Sequence, residues 1–134
     1  MARAILESGI EGNVHAVEKT SQRFKSLKSL VAKHHLKGLI TPVNGDAFDH
    51  AGKVEELNLV FIDIEKEQYL DFFRLIKSRI PRGGVVLAHN VNHPYGTVEV
   101  FLKASQGVWR TIIVPTQAGI SISVRLARTL KQVF

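Results

Sequence analysis

The sequence predicts an α/β fold, and three observations predict it. Short β-branched runs alternate with longer stretches of helical period. One run, residues 57–62, is almost continuously apolar, as expected of a central parallel strand covered on both faces. The runs also end, one after another, in polar groups: Glu18, Asp46, Asp63 and the pair His89 and Asn90.

Taken in order, residues 13–17 form a first short strand. Thr20 or Ser21 then caps a helix through Lys33, in which Phe24, Leu27, Leu30 and Val31 share a face, basic residues occupy the outer side and Gly38 is the stop. Residues 40–43 form the next strand, where Pro42 removes a ladder donor and so predicts a sheet edge. After the apolar strand at 57–62, Tyr69, Phe72, Phe73, Ile76 and Ile80 recur at steps of three and four, predicting a helix over 66–79 that Pro81, Gly83 and Gly84 end. A buried strand follows at 85–88 and a short helix at 98–104. Residues 111–114 and 120–124 are strands joined through a turn that includes Pro115 and Gly119, and they read as a hairpin.

A length of 134 residues suits a single domain, and 45% apolar with 22% charged residues is the composition of a folded chain. The absence of cysteine excludes disulfides, thiolate metal sites and cysteine nucleophiles, and predicts a cytoplasmic protein. No apolar run approaches the roughly 18 residues that span a bilayer, which predicts no membrane partner. The net charge of +6 permits nucleic acid or acidic partners. Charge is segregated along the chain: Lys19, Arg23, Lys25, Lys28, Lys33 and Lys37 crowd one stretch, while Asp46, Asp49, Glu55, Glu56, Asp63, Glu65, Glu67 and Asp71 follow in another.

Ligands of open parallel sheets lie beyond the carboxyl ends of the strands, so Glu18, Asp46, Asp63 and Asn90 are expected to line one cleft. A carboxylate at Glu18 offers two adjacent acceptors for a ribose; it is equally a solvated acid or a partner for Lys19. Gly45, Asp46 and Ala47 allow a tight turn with an acceptor for an exocyclic amine, and are also an ordinary turn. Asp63 followed by Lys66 offers a metal or substrate ligand beside a base, whereas Glu65 and Glu67 suit a helix N-terminus. His89 and Asn90 add a nitrogen and an amide oxygen that can share a metal with Asp63. His34, His35, His50 and His93 read as ordinary hydrogen-bonded histidines.

The stretch from Phe61 to Tyr69 (Phe-Ile-Asp-Ile-Glu-Lys-Glu-Gln-Tyr), followed by Gly83 to Val91 (Gly-Gly-Val-Val-Leu-Ala-His-Asn-Val), resembles the S-adenosylmethionine-dependent O-methyltransferases of the catechol and caffeoyl-CoA type. The resemblance covers most of the chain from Asn13 onward. It implies a Rossmann-like sheet, mostly parallel, with residues 120–124 as a reversed last strand and Pro42 in the edge strand. Carried over, Glu18 holds the cofactor ribose, and Gly45, Asp46 and Ala47 border its adenine, with Asp63 also on the cofactor side. Asp63 and Asn90 match metal ligands, and Lys66 matches the lysine that takes the proton from the substrate hydroxyl. The residue before Asn90 is aspartate in the family; His89 here disfavours Mg and suits Mn, Fe or Zn.

A second departure concerns the central strand and Gly-rich turn that precede the Glu18 strand in the family: the twelve residues before Asn13 contain neither. Residues 2–8 match the end of the helix that follows that turn. Cofactor affinity is therefore expected to be weak or absent. The two strands flanking the lost position are expected either to close against each other or to recruit a second copy, with Leu126, Leu130, Val133 and Phe134 as further surface to bury. The first functional reading is an O-methyltransferase acting on a small-molecule hydroxyl. The alternatives are a methyltransferase-like binding or assembly module, a corrin-type methyltransferase, and an RNA-directed enzyme, which the 7% aromatic content and an inward Phe24 disfavour.

Overall fold

The computed structural model describes residues 1–92, 99, 102–103 and 107–126. It divides into two compact units, Met1–Lys53 and Val54–Phe134. The first contains α1 (Ala2–Ser8), β1 (Val14–Glu18), α2 (Ser21–Lys33), β2 (Ile40–Asn44) and α3 (Ala47–Ala51). β1 and β2 pair in parallel, from Val14 opposite Ile40 to Glu18 opposite Asn44, with α2 as the crossover. Pro42 lies in β2, whose single described neighbour is β1, so the missing donor falls in the expected edge strand.

The ends of α2 differ from expectation. Thr20 occupies the cap position without a side-chain cap, and its own N–H donates instead to Glu18 Oε1 at 2.7 Å. The helix closes before Gly38: His35 takes the left-handed conformation at φ 54°, and Leu36 N–H donates to Val31 O at 3.0 Å. Val31 is buried while Leu30 is 54% exposed, because a two-stranded sheet is too narrow to cover the whole apolar stripe. The short α3 was not expected at all; five residues carry too little periodicity to announce a helix.

The second unit contains β3 (Leu59–Ile62), a 3₁₀ turn (Lys66–Gln68), α4 (Tyr69–Ile76), β4 (Val85–His89), β5 (Trp109–Val114) and β6 (Ile120–Arg125). Its sheet runs β3-β4-β6-β5. β3 and β4 are parallel, β6 is antiparallel to β4, and β5 and β6 form the expected hairpin with Val114 opposite Ile120. Gly119, at φ 71°, sits in the hairpin loop, where a Cβ would come within 2.6 Å of the Asn92 side chain.

The predicted helix over 66–79 is a 3₁₀ turn followed by a shorter α4, but the apolar face is the one expected. Tyr69, Phe73, Ile76 and Ile80 are fully buried with Ile62, Val86 and Ala88, and the Phe73 ring meets Trp109 edge-on at 5.3 Å. Each such side chain contributes about 1.5–3 kcal/mol of burial. Gly84 immediately precedes β4, where a Cβ would stand 2.6 Å from Ile80 Cγ2. Residues alternating with the buried set remain open: Leu59, Phe61 and Ile112 are exposed.

β1 and β3 belong to separate units. Each has found its parallel partner across its own helical crossover, and within its own unit each keeps one edge unpaired among the described residues. The expected helix at 98–104 is represented by helical Glu99, Leu102 and Lys103, with a Glu99–Lys103 ion pair at 2.9 Å. Val98, Ala104, His93, Leu130, Val133 and Phe134 lie outside the described residues. No described helix is long and apolar enough to cross a membrane.

Candidate active site

In the first unit the ends of β1 and β2 are tied together at Glu18. Its backbone carbonyl accepts from Gly45 N–H at 3.2 Å and from Asn44 Nδ2 at 2.9 Å. Its carboxylate accepts the Thr20 N–H, and that bond holds the acid below its ordinary pKa against a partial burial penalty, with Arg23 and Lys19 assisting. Glu18 is thus kept ionised at the strand tip, with acceptor capacity beyond the one bond to Thr20. Asp46 caps α3, its Oδ1 accepting from Phe48 N–H at 2.8 Å, and Ala47 opens that helix.

Gly45 departs from the reading of a glycine-dependent turn. Its φ is outside the left-handed region, and a Cβ there would meet nothing within 4 Å. The chain's own geometry therefore does not demand glycine. What it leaves beside Gly45 is open space next to backbone.

In the second unit the structure gathers Asp63, Lys66 and His89. Asp63 Oδ1 lies 3.5 Å from both Lys66 Nζ and His89 Nδ1. Lys66 is largely buried; its Nζ donates to Ile64 O at 3.2 Å and to the Tyr69 hydroxyl at 2.8 Å. The Tyr69 hydroxyl in turn donates to His89 O at 2.7 Å, with Ile62 O farther off at 3.4 Å. Burial pushes the Tyr69 phenol above its ordinary pKa, and Lys66 opposes the shift. This chain of bonds straps the ends of β3 and β4 together one residue past their last paired positions, Ile62 and Ala88. Sequence reasoning placed Tyr69 on the apolar face of its helix and missed the strap. The signal was the repeated spacing of three in Asp63, Lys66 and Tyr69, of which Lys66 opens the 3₁₀ turn and Tyr69 opens α4.

Asn90 follows in the left-handed conformation at φ 55°, which asparagine tolerates. It is held on both sides: Tyr69 grips the His89 carbonyl, and Val91 N–H donates to Gly119 O at 3.3 Å. Its Oδ1 is buried and has no hydrogen-bond partner among the described residues. Such an orphan acceptor, one residue after His89, whose imidazole lies 3.5 Å from the Asp63 carboxylate, fits a divalent ion that takes mixed oxygen and nitrogen donors. Among the described residues no three histidine, cysteine or carboxylate side chains cluster for a metal, so Asn90 is required to make a third ligand.

The fold has counterparts in known proteins. The family model described as a methyltransferase domain matches residues 1–91. The chain belongs to this methyltransferase family. Among solved structures, cofactor-bound Rv0187 from MTB has a TM-score of 0.78 at 18% identity, covering 92% of this chain and 65% of that one. The O-methyltransferase from Bacillus cereus, in complex with SAH, has a TM-score of 0.75 at 18% identity, covering 85% of this chain and 63% of the other. The O-methyltransferase TomG from Streptomyces achromogenes, involved in tomaymycin synthesis and bound to SAM, has a TM-score of 0.72 at 18% identity, covering 88% and 64%. At this identity the likeness is one of fold: a methyltransferase α/β architecture, of which this chain spans less than two thirds in each case. A comparison with curated proteins returned no match.

Proposed function

We propose that this methyltransferase-family chain is a single methyltransferase-like domain of the S-adenosylmethionine-dependent O-methyltransferase type, acting on a hydroxyl of a small molecule. The observation that carries the reading is the set Asp63, Lys66, His89 and Asn90 at the ends of β3 and β4, where a carboxylate, an amine, an imidazole and an orphan amide oxygen are held by one hydrogen-bonded strap. When bound, the cofactor supplies an electrophilic methyl group and a divalent metal acidifies the acceptor hydroxyl.

The chain's own residues do the rest. Glu18, kept ionised, receives the cofactor ribose, and the open space at Gly45 admits the adenine beside Asp46 and Ala47. Asp63, His89 and Asn90 hold the metal, with a nitrogen donor that suits Mn or Zn better than Mg. Lys66 Nζ, as the free amine, accepts the hydroxyl proton. Tyr69 keeps that nitrogen anchored in either protonation state, because a phenol oxygen accepts from an amine as well as from an ammonium. Positioning and charge stabilisation are then the enzyme's share of the barrier. The cysteine-free composition suits the cytoplasm.

Calorimetry with S-adenosylhomocysteine tests the reading. Weak, saturable binding that Glu18→Ala abolishes supports it; binding that is absent, or indifferent to Glu18→Ala, overturns the cofactor assignment. The unpaired edges of β1 and β3, with Leu59 and Phe61 exposed on β3, favour a second reading in which a further copy of the chain contributes an edge. Sedimentation at micromolar concentration checks it, and a well-folded monomer would remove it.

A further inference from the structure

A pair of histidines in the first unit belongs to none of the groups above. His15 Nδ1 and His50 Nε2 stand 2.8 Å apart, with ring centroids at 5.0 Å and planes inclined at 51°. We infer that His15 and His50 form a two-histidine site for a borderline transition metal, with zinc, nickel and copper as the class of ion and Mg or Ca excluded by the all-nitrogen donor set.

Both donors come from regular elements, which holds them in place. His15 is the second residue of β1, opposite Thr41 of β2, and points to the side opposite Val14 and Ala16. His50 lies in α3, where its N–H donates to Asp46 O at 3.1 Å and Asp46 caps the first turn. The two rings are 35 positions apart in sequence, so an ion between them cross-links β1 to α3.

The geometry is close to that of a chelate. Two imidazole nitrogens, each about 2.0–2.1 Å from a tetrahedral zinc, stand roughly 3.3 Å apart. Rotating each ring slightly opens the observed separation by that margin while leaving both Cα atoms in place. The proton balance is also simple. In the hydrogen-bonded pair one ring donates and the other accepts; to bind the ion, the donor ring moves its proton to its other nitrogen, and both lone pairs then face the metal with no net proton lost.

The surroundings select the kind of ion. Burial, the His15 ring and Lys53 all hold His50 in its neutral, ligand-ready form. Lys53 also repels a cation held only by charge, so the ion must be one that gains from imidazole coordination itself. No third histidine, cysteine or carboxylate completes the site among the described residues. Water fills the remaining positions, which makes this an exchangeable site and not a closed structural one. Its effect on the protein follows by linkage, since an ion that binds only when β1 and α3 are in place stabilises them.

The test uses the full chain and zinc alone. Titration followed by histidine ring signals in NMR is expected to shift the His15 and His50 resonances together along one saturable curve, separate from any curve followed by His89. His15→Gln and His50→Gln are each expected to weaken zinc binding at this site by at least about tenfold, the lower bound even for an outer-shell partner of a metal. His34→Gln with His35→Gln, and separately His89→Gln, are expected to leave the His15 and His50 shifts in place. If zinc moves other histidine signals but not these, or if either single substitution leaves the affinity within about twofold, the site does not exist as described.

Discussion

The two units are built to different standards of burial. In the second, α4 and the four-stranded sheet enclose Tyr69, Phe73, Ile76, Ile80, Val86 and Ala88 completely. In the first, a two-stranded sheet with three helices buries only Ala2, Val31 and Ala51 among the described residues, and none of them completely. A two-stranded sheet is marginal alone, and parallel strands want cover on both faces and partners on both edges. The difference teaches where stability and openness reside: the second unit supplies the core that keeps Asp63, His89 and Asn90 in place, while the first holds Glu18 and Gly45 with little beneath them.

The largest effect should come from the core of the second unit. Phe73→Ala removes a fully buried ring and its edge contact with Trp109, and is expected to cost about 3–5 kcal/mol in urea unfolding followed by Trp109 fluorescence. A loss below about 1 kcal/mol would break the claim that this unit is the better packed.

Next in size is the strap. Tyr69→Phe keeps the ring but strands the His89 carbonyl and one Lys66 donor, at an expected cost of about 1–3 kcal/mol. Hydrogen exchange should quicken at Asn90 and Val91 before it does in the middle of β4. Uniform quickening along β4 would mean the hydroxyl supports the whole strand and not its tip.

The units should also part company with pH. In the first, the folded pKa values of Glu18 and His50 are lowered, so their contribution is present above the unfolded values of 4.5 and 6.5 and is lost as pH falls through the folded ones. In the second, the Tyr69 pKa is raised, so its contribution is full below 10.0 and is lost as pH rises through the folded value. Hydrogen exchange in β1 and β2 should therefore respond below pH 6.5, while Trp109 fluorescence responds to alkali. Simultaneous loss of both signals on acidification would show that the two units unfold as one.

The smallest effect is a gain. Ser121 is fully buried in β6 with no partner for its hydroxyl among the described residues, so Ser121→Ala is expected to raise the stability of the second unit by up to about 1 kcal/mol in the same urea assay. Destabilisation by that amount would reveal a partner for the hydroxyl.

By itself the sequence determined the alternation of strand and helix, the position of most elements to within a few residues, the edge place of the Pro42 strand, the hairpin at the C-terminal side and the polar strand tips. These are legible because they depend on local periodicity and turn chemistry, which each segment carries within itself. The catechol-type spacing of Asp63, Lys66 and Asn90 was legible for the same reason, as a pattern along the chain. Only the tertiary structure decided the rest. It divided the strands into two ladders, opened edges on β1 and β3, capped α3 with Asp46, ran Tyr69 from Lys66 to the His89 carbonyl and brought His15 to His50 across 35 positions. Each of these joins residues distant in sequence or depends on which neighbour a strand finds, and no local pattern encodes the identity of a partner that packing alone supplies.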